Sequence, residues 1–418
     1  MRPALVAGRA IRALDVAAGL CVEDAVSFSL PPDFVLLQVV PALDAGGVEQ
    51  TTLDVARAVV EAGGRALVAS AGGRMEAELA ARGGELIRLP MDSKNPLQVL
   101  FANAGALEHL IKSQRVSLVH ARSRMPAYSA WIAARRTKVP FVTTYHGVYN
   151  ARSAPKRLYN RVMARGDMVI ANSEFTRDHL LAEHHGIDPT RVVAIPRGID
   201  LARFSPAAVS GDRLAAIRAA WGLETHDPRP VLLLAGRLTT WKGQALIIEA
   251  VRRLREDGGG QDLIVILAGD DQGRVGYRAE LDAAIAAGGL ADSVRIAGHC
   301  EDMPAAYLAA DFALAPSLEP EAFGRTAVEP QAMGRPVLAA DHGGARETVL
   351  DEVTGWRVRP GDPDAWAGAL HQALSTPLQV RRAMGEAGVE RARRLYSLEA
   401  MANATLGVYA RLLAGSGS

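Results

Sequence analysis

The stretch EPEAFGRTAVEPQAMGRP, residues 319 to 336, sets two carboxylates, Glu321 and Glu329, eight positions apart around a Phe-Gly-Arg turn. Such a pair can act as general acid and base, or it can be two solvated acids at the start of a helix, and the spacing alone leaves both open. A second group is cationic. Lysine occurs only at positions 94, 112, 138, 156 and 242 while arginine is abundant, so Lys242 beside Gly243, with Arg237 five residues earlier, suits contact with a phosphate. Two further candidates stand alone. His146 in TTYHGVYN can donate or accept a hydrogen bond and titrates near neutrality, and Gly46 and Gly47 precede a helix whose free N–H groups could meet an anion, although a plain tight turn explains them equally.

The elements that position these residues alternate between strand and helix along most of the chain, which predicts parallel α/β architecture with crossover helices. Strand-like runs fall at 34–40, 65–70, 85–90, 117–121, 140–145, 168–173 and 191–196, with helical spacing between them at Leu53 to Val60 and Ala127 to Ala134. The pattern lapses into Pro, Ser and short helix near 204–222. It restarts with strands at 229–238, 262–270, 293–299, 311–317 and 336–341. The expected divisions are a leader at 1–33, a first Rossmann-like domain at 34–205, a linker at 206–224, a second domain at 225–395 and a terminal helix at 396–418. That helix carries Leu398, Met401, Val408 and Leu412 on one face. Two doubly wound sheets imply ligands outside the carboxyl ends of the strands, in a cleft between the domains. His146, the Arg237–Lys242 loop and Glu321 all follow strands, and a helix from Ala327 would carry Glu329 in its first turn.

Bulk properties narrow the class. A chain of 418 residues, 49% hydrophobic and 22% charged, suits a two-domain globular enzyme. A net charge of +1 gives no reason to expect nucleic acid as a partner. Cys21 and Cys300 are the only cysteines, which excludes a disulfide framework and suggests the cytoplasm. No apolar run has the length of a bilayer span, and Arg9, Arg12 and Asp15 interrupt the faint resemblance of the first residues to a signal peptide. The sole Asp-x-Asp, Asp362-Pro363-Asp364, reads as a helix cap and not as a metal site.

Taken in order, Gly46-Gly47-Val48-Glu49, Thr144-Tyr145-His146-Gly147, VIANSEFTRDHL, VVAIPRGIDLARFSP, AGRLTTWKG, the two glutamates and GRPVLAADHGGARETV resemble the retaining glycosyltransferases of family four, from about Val35 to Tyr396. The resemblance implies the GT-B fold, two Rossmann-like domains facing a central cleft with a C-terminal helix crossing between them. It implies that Arg237 and Lys242 bind the diphosphate of a UDP- or GDP-sugar, that the Gly46 and Gly47 amides approach it, and that His146 sits beside the reacting sugar. By the same resemblance Glu321 contacts sugar hydroxyls, backbone N–H groups of Phe323, Gly324 and Arg325 help to hold sugar and phosphate, and Glu329 binds the ribose. It implies no cofactor, no metal and retention of configuration. The chain departs from the family in Pro330-Gln331-Ala332-Met333-Gly334 and in Arg197, which replaces the usual Asn. Arg325 and Arg197 are therefore candidates for tuning donor or acceptor choice.

On the acceptor side, Arg135, Arg136, Lys138, Arg152, Lys156, Arg157, Arg161 and Arg165 meet no acid before Asp167. An ordinary solvated face explains this run; so would an anionic lipid surface or an anionic acceptor, as in lipopolysaccharide-core or other cell-envelope glycan synthesis at the inner face of the membrane. A nucleotide-sugar epimerase of the same architecture, or an inactive nucleotide-sugar binder, are the alternatives.

Overall fold

The computed structural model describes residues 30–44, 46–149, 153–224, 227–260 and 262–415. Residues 1–29 of the expected leader, and Arg152 of the basic run, lie outside the described residues. The chain forms two compact units, one running to Gly198 and resuming at Leu398, the other spanning Ile199–Ser397.

The first unit holds β1 (Val35–Val39), β2 (Arg65–Ser70), β3 (Glu85–Arg88), β4 (Leu118–Ala121), β5 (Phe141–Tyr145), β6 (Met168–Ala171) and β7 (Val192–Ala194). They form a parallel sheet in the order β3-β2-β1-β4-β5-β6-β7. The central strands read as unbroken apolar runs because helices cover both faces. Alternation then sorts side chains: Val35, Leu37 and Val39 pack in one core with Ala127, Ala130 and Leu107, while Leu36 and Val40 pack in the other with Leu53 and Val59. Each such leucine contributes about 2–3 kcal/mol by leaving water. The terminal helix Leu398–Gly415 belongs to this unit: Leu398, Met401, Val408 and Leu412 all join the second of these cores. The chain thus crosses back to its first unit at Leu398.

The second unit holds β8 (Val231–Ala235), β9 (Ile264–Ala268), β10 (Val294–Gly298), β11 (Phe312–Ala315), β12 (Val337–Ala340) and β13 (Gly355–Val358), parallel in the order β10-β9-β8-β11-β12-β13. Val231, Leu233 and Ala235 face one core, Leu232 and Leu234 the other. The edge strand β13 is absent from the strands expected from sequence. Its GWRV has one small residue and one exposed arginine in four positions, so it carries little apolar signal. Gly355 is required there because a Cβ would lie 2.0 Å from the Val337 carbonyl oxygen.

In each sheet the chain order reverses once, between β1 and β4 and between β8 and β11. Crevices for ligands open at such reversals, beyond the carboxyl ends of the strands. The loops leaving β1, β4, β8 and β11 therefore decide the chemistry.

Candidate active site

In the second unit, β8 is followed by the Arg237–Lys242 loop and β11 by the loop to Glu321. Because β8 and β11 are hydrogen-bonded neighbours, these loops emerge side by side. Gly243 makes their contact possible. It adopts φ 78° at the amino end of the helix Gln244–Glu256, and a Cβ there would stand 2.2 Å from the Pro316 carbonyl oxygen. The Leu318 amide donates to the Trp241 carbonyl at 2.7 Å and ties the loops together.

Their side chains meet. Lys242 Nζ lies 2.6 Å from Glu321 Oε1, with only 12% and 19% of the two side chains exposed, and 4.5 Å from the centre of the Trp241 ring. The Ser317 hydroxyl donates to the same Glu321 oxygen. His342, following β12, donates from Nε2 to the Ser317 carbonyl at 2.8 Å; a carbonyl only accepts, so that nitrogen carries the proton. Gly343 and Gly344 wrap the Glu321 backbone, the Gly344 amide donating to its carbonyl at 2.8 Å. Arg237 is exposed, and among the described residues its side chain makes one hydrogen bond, a long one of 3.4 Å to Gln272 Oε1. The loop pair thus offers a largely buried ammonium in contact with a carboxylate, and an exposed guanidinium on the same loop as the ammonium. Neighbouring backbone turns hold all but the guanidinium.

Gly324, at φ 85°, starts the helix Arg325–Ala332. The helix begins two residues earlier than the expected Ala327, so Glu329 sits one turn inside it and is 8% exposed. Arg325 Nη2 reaches Glu329 Oε1 at 2.8 Å and the Tyr307 hydroxyl donates to Oε2 at 3.2 Å. Burial pushes the Glu329 carboxyl above its usual range, and Arg325 and Tyr307 oppose the shift. Phe323 turns its ring into the core against Tyr396, so it offers the crevice its backbone alone.

The first unit gathers a different set. Gly46, at φ 142°, precedes the helix Gly47–Glu61, and a Cβ on Gly47 would fall 2.0 Å from an Arg197 guanidinium nitrogen. Arg197 therefore lies on the glycine turn, and its Nη2 is 3.3 Å from His146 Nδ1. A guanidinium only donates, so Nδ1 accepts and the His146 proton is on Nε2. Asn172, after β6, donates to the His146 carbonyl at 3.0 Å. Burial, with Arg197 and Arg122 nearby, depresses the His146 pKa well below that of a free imidazole, so it is neutral where the sequence suggested titration. Together with Arg122, His120, Thr144 and Thr51 these groups line a cavity of about 20 Å³. Arg122 directly follows β4, is 2% exposed and bonds Gln38 Oε1 at 2.7 Å. His120 bridges the Tyr409 hydroxyl (2.6 Å) and Thr144 Oγ1 (2.7 Å).

Ser317, His342, Tyr307, Arg122 and Asn172 were not among the candidates from sequence. Ser317, Arg122 and Asn172 close or follow strands, which is the signal that could have found them; Tyr307, inside a helix, offers none. Asp362 accepts from the Asp364 and Ala365 amides at 3.0 and 3.1 Å, the expected cap of the helix Pro363–Ser375.

Comparison with known proteins agrees with this architecture. The family model for Glycosyltransferase Family 4 matches residues 45–203 and that for Glycosyl transferases group 1 matches residues 218–391. A D-inositol 3-phosphate glycosyltransferase from Salinispora tropica is 32% identical over 89% of this chain and 82% of its own. Its counterpart from Xylanimonas cellulosilytica is 31% identical over 88% and 92%. The crystal structure of a glycosyltransferase from Rickettsia africae ESF-5 matches with a TM-score of 0.82 at 34% identity, covering 91% of this chain and 99% of that one. Anabaena HepE in complex with UDP matches with a TM-score of 0.77 at 22% identity, over 90% and 100%, a likeness of fold. The chain belongs to glycosyltransferase family 4 and has the GT-B fold.

Proposed function

We propose that this member of family 4 transfers a sugar, with retention, from a UDP- or GDP-sugar to a glycan or lipid-linked acceptor of the cell envelope, such as a lipopolysaccharide core. The observation that carries the donor assignment is the contact of Lys242 with Glu321 beside Arg237, at the reversal of the second sheet. Breaking the bond from sugar C1 to the diphosphate builds charge on the leaving oxygen. Lys242 and Arg237 stabilise that charge, and the crevice strengthens them by limiting water. Glu321 then turns its carboxylate from Lys242 to the sugar hydroxyls, and Glu329 accepts from the ribose. As C1 leaves the phosphate it bonds the acceptor oxygen on the same face, and the acceptor proton passes to the departing phosphate oxygen.

In the first unit, His146 and the Gly46–Gly47 amides are assigned to substrate contact, His146 through its Nε2–H. An anionic group on the acceptor is suggested by the position of Arg197 on the Gly46–Gly47 turn beside His146. The names of the relatives suggest a phosphorylated polyol as one such acceptor. The basic run Arg135, Arg136, Lys138, Lys156, Arg157, Arg161 and Arg165, together with exposed Leu158, supports peripheral attachment to an anionic membrane. No helix among the described residues is long and apolar enough to cross one.

The test is nucleotide release from a panel of UDP- and GDP-sugars, with and without lipid-linked and phosphorylated acceptors, and NMR of the product's anomeric proton. Acceptor-dependent release with the donor's configuration kept is expected. Interconversion of the donor sugar without transfer would instead establish the epimerase.

A further inference from the structure

We infer that the first unit carries a second anion site, on the side of its sheet away from the catalytic loops, which binds a phosphate group. A cavity of about 360 Å³ is lined by Trp131, Arg135, Arg161, Arg165, His184 and Arg191, together with Ile187. That volume falls within the range of small-ligand sites, roughly 300–1,000 Å³. Its place in the fold separates it from the chemistry. Arg135 ends the helix before β5, Arg161 and Arg165 precede β6, and Arg191 immediately precedes β7. Arg135, Arg165 and Arg191 stand toward the amino ends of the strands, whereas His146, Arg122, Asn172 and Arg197 follow the carboxyl ends; the cavity reaches back along β5 as far as His184, whose ring is 6.4 Å from that of Tyr145.

The arginines are held in place but scarcely neutralised. Gly166 and Asp167 form the hub: Arg191 donates through Nε to the Asp167 carbonyl at 3.1 Å and through Nη2 to the Gly166 carbonyl. The Asp167 carboxylate accepts from Arg135 at 3.0 Å and from the Phe141 amide at 2.8 Å. Arg165 is stacked over Trp131, 4.3 Å from the ring centre. Arg161 is exposed, and among the described residues no carboxylate lies within ion-pair distance of Arg161, Arg165 or Arg191. Four guanidinium groups therefore line one cavity in which Asp167 pairs with Arg135 alone, while Asp188 and Glu183 act on Arg191 and His184 from beyond ion-pair distance. Planar donors held by backbone carbonyls and an aromatic face match the oxygens of a phosphate, and the apolar wall of Trp131 and Ile187 leaves room for what the phosphate carries. The ligand class is a phosphomonoester or diphosphate, from either a soluble metabolite or a lipid headgroup. The site goes beyond membrane attachment by a diffuse basic face, because it predicts saturable binding at named residues.

The test uses the full chain carrying Lys242→Ala, which blanks the donor crevice, and titrates inorganic pyrophosphate by calorimetry in low salt. In parallel, flotation compares phosphatidylcholine vesicles with and without phosphatidate. Arg161→Glu, at an exposed position that should not disturb folding, and Arg165→Gln are then introduced. Saturable binding that weakens at least about tenfold in each variant, the worth of one charge-assisted hydrogen bond, is expected. Binding of pyrophosphate would identify a soluble source, and capture by phosphatidate vesicles alone a lipid one. Absence of both, or equal binding by Arg161→Glu, would overturn the site. UDP binding in Arg161→Glu with Lys242 intact should match that of the unaltered chain, which keeps this result separate from the donor assignment.

Discussion

Lys242 and Glu321 are 79 positions apart in the chain and 2.6 Å apart in space. The pairing exists because β8 and β11 are neighbours in the sheet and because Gly243 lets the loop after β8 touch the loop after β11. It has a functional cost: the ammonium must exchange a carboxylate for a diphosphate when donor binds. Glu321→Gln removes that competitor while keeping the Ser317 contact feasible, so UDP affinity should hold or rise a few-fold while turnover falls by about 10²-fold or more. Lys242→Met should weaken UDP and lower kcat/KM together. Calorimetry with UDP and steady-state kinetics measure both, and a Glu321→Gln protein that loses UDP binding would remove Lys242 from its assigned role.

Glu329 gives a pH signature. Its carboxyl is raised by burial and drawn back by Arg325 first among its neighbours. Arg325→Gln takes away that counter-charge and leaves the Tyr307 bond, so the carboxyl should hold its proton to higher pH. If the ionised form binds ribose, the acidic limb of the kcat/KM profile moves toward alkaline pH in Arg325→Gln. An unmoved limb would separate Glu329 from donor binding.

Two glycine substitutions distinguish a required glycine from a tolerated one. Gly243→Ala combines φ 78° with a 2.2 Å approach to a backbone oxygen, so it should destabilise by about 1–3 kcal/mol or more and impair UDP binding. Gly105→Ala, in the helix Ala104–Ser113 with nothing within 4 Å, should stabilise by about 0.5–1 kcal/mol. Urea denaturation of the two proteins checks both signs.

His120 and His146 are both held below the usual 6.5 of an imidazole, chiefly by burial. Below that value the unfolded chain takes up protons that the folded chain refuses. Their contribution to stability is therefore fully present above pH 6.5 and declines as pH falls through the window beneath it. His146→Asn should flatten part of that decline, measured as the free energy of unfolding from pH 8 to pH 5. An unchanged slope would mean that His146 takes up its proton equally in the folded and unfolded chain.

Local sequence determined a good deal. The doubly wound class was legible because strands buried on both faces read as continuous apolar runs, VLLQV and VLLLA, separated by helical spacing. Loops after those runs pointed to His146, Lys242 and Glu321, and the ordered motifs named the family. GWRV escaped because four residues with one arginine carry too little apolar signal, and the helix start at Arg325 was missed because Gly324 acts through its backbone. Tertiary structure alone decided which strands are neighbours, and so where each sheet reverses and which loops converge. It paired Lys242 with Glu321 and Arg325 with Glu329, and laid Arg197 on Gly47 against His146. It also moved part of the basic run to the end of the sheet away from the catalytic loops, where Arg191, from a different crossover, completes the cavity. The physical reason is the same in each case: charge pairing and burial depend on distance across the sheet, and separation along the chain does not encode that distance.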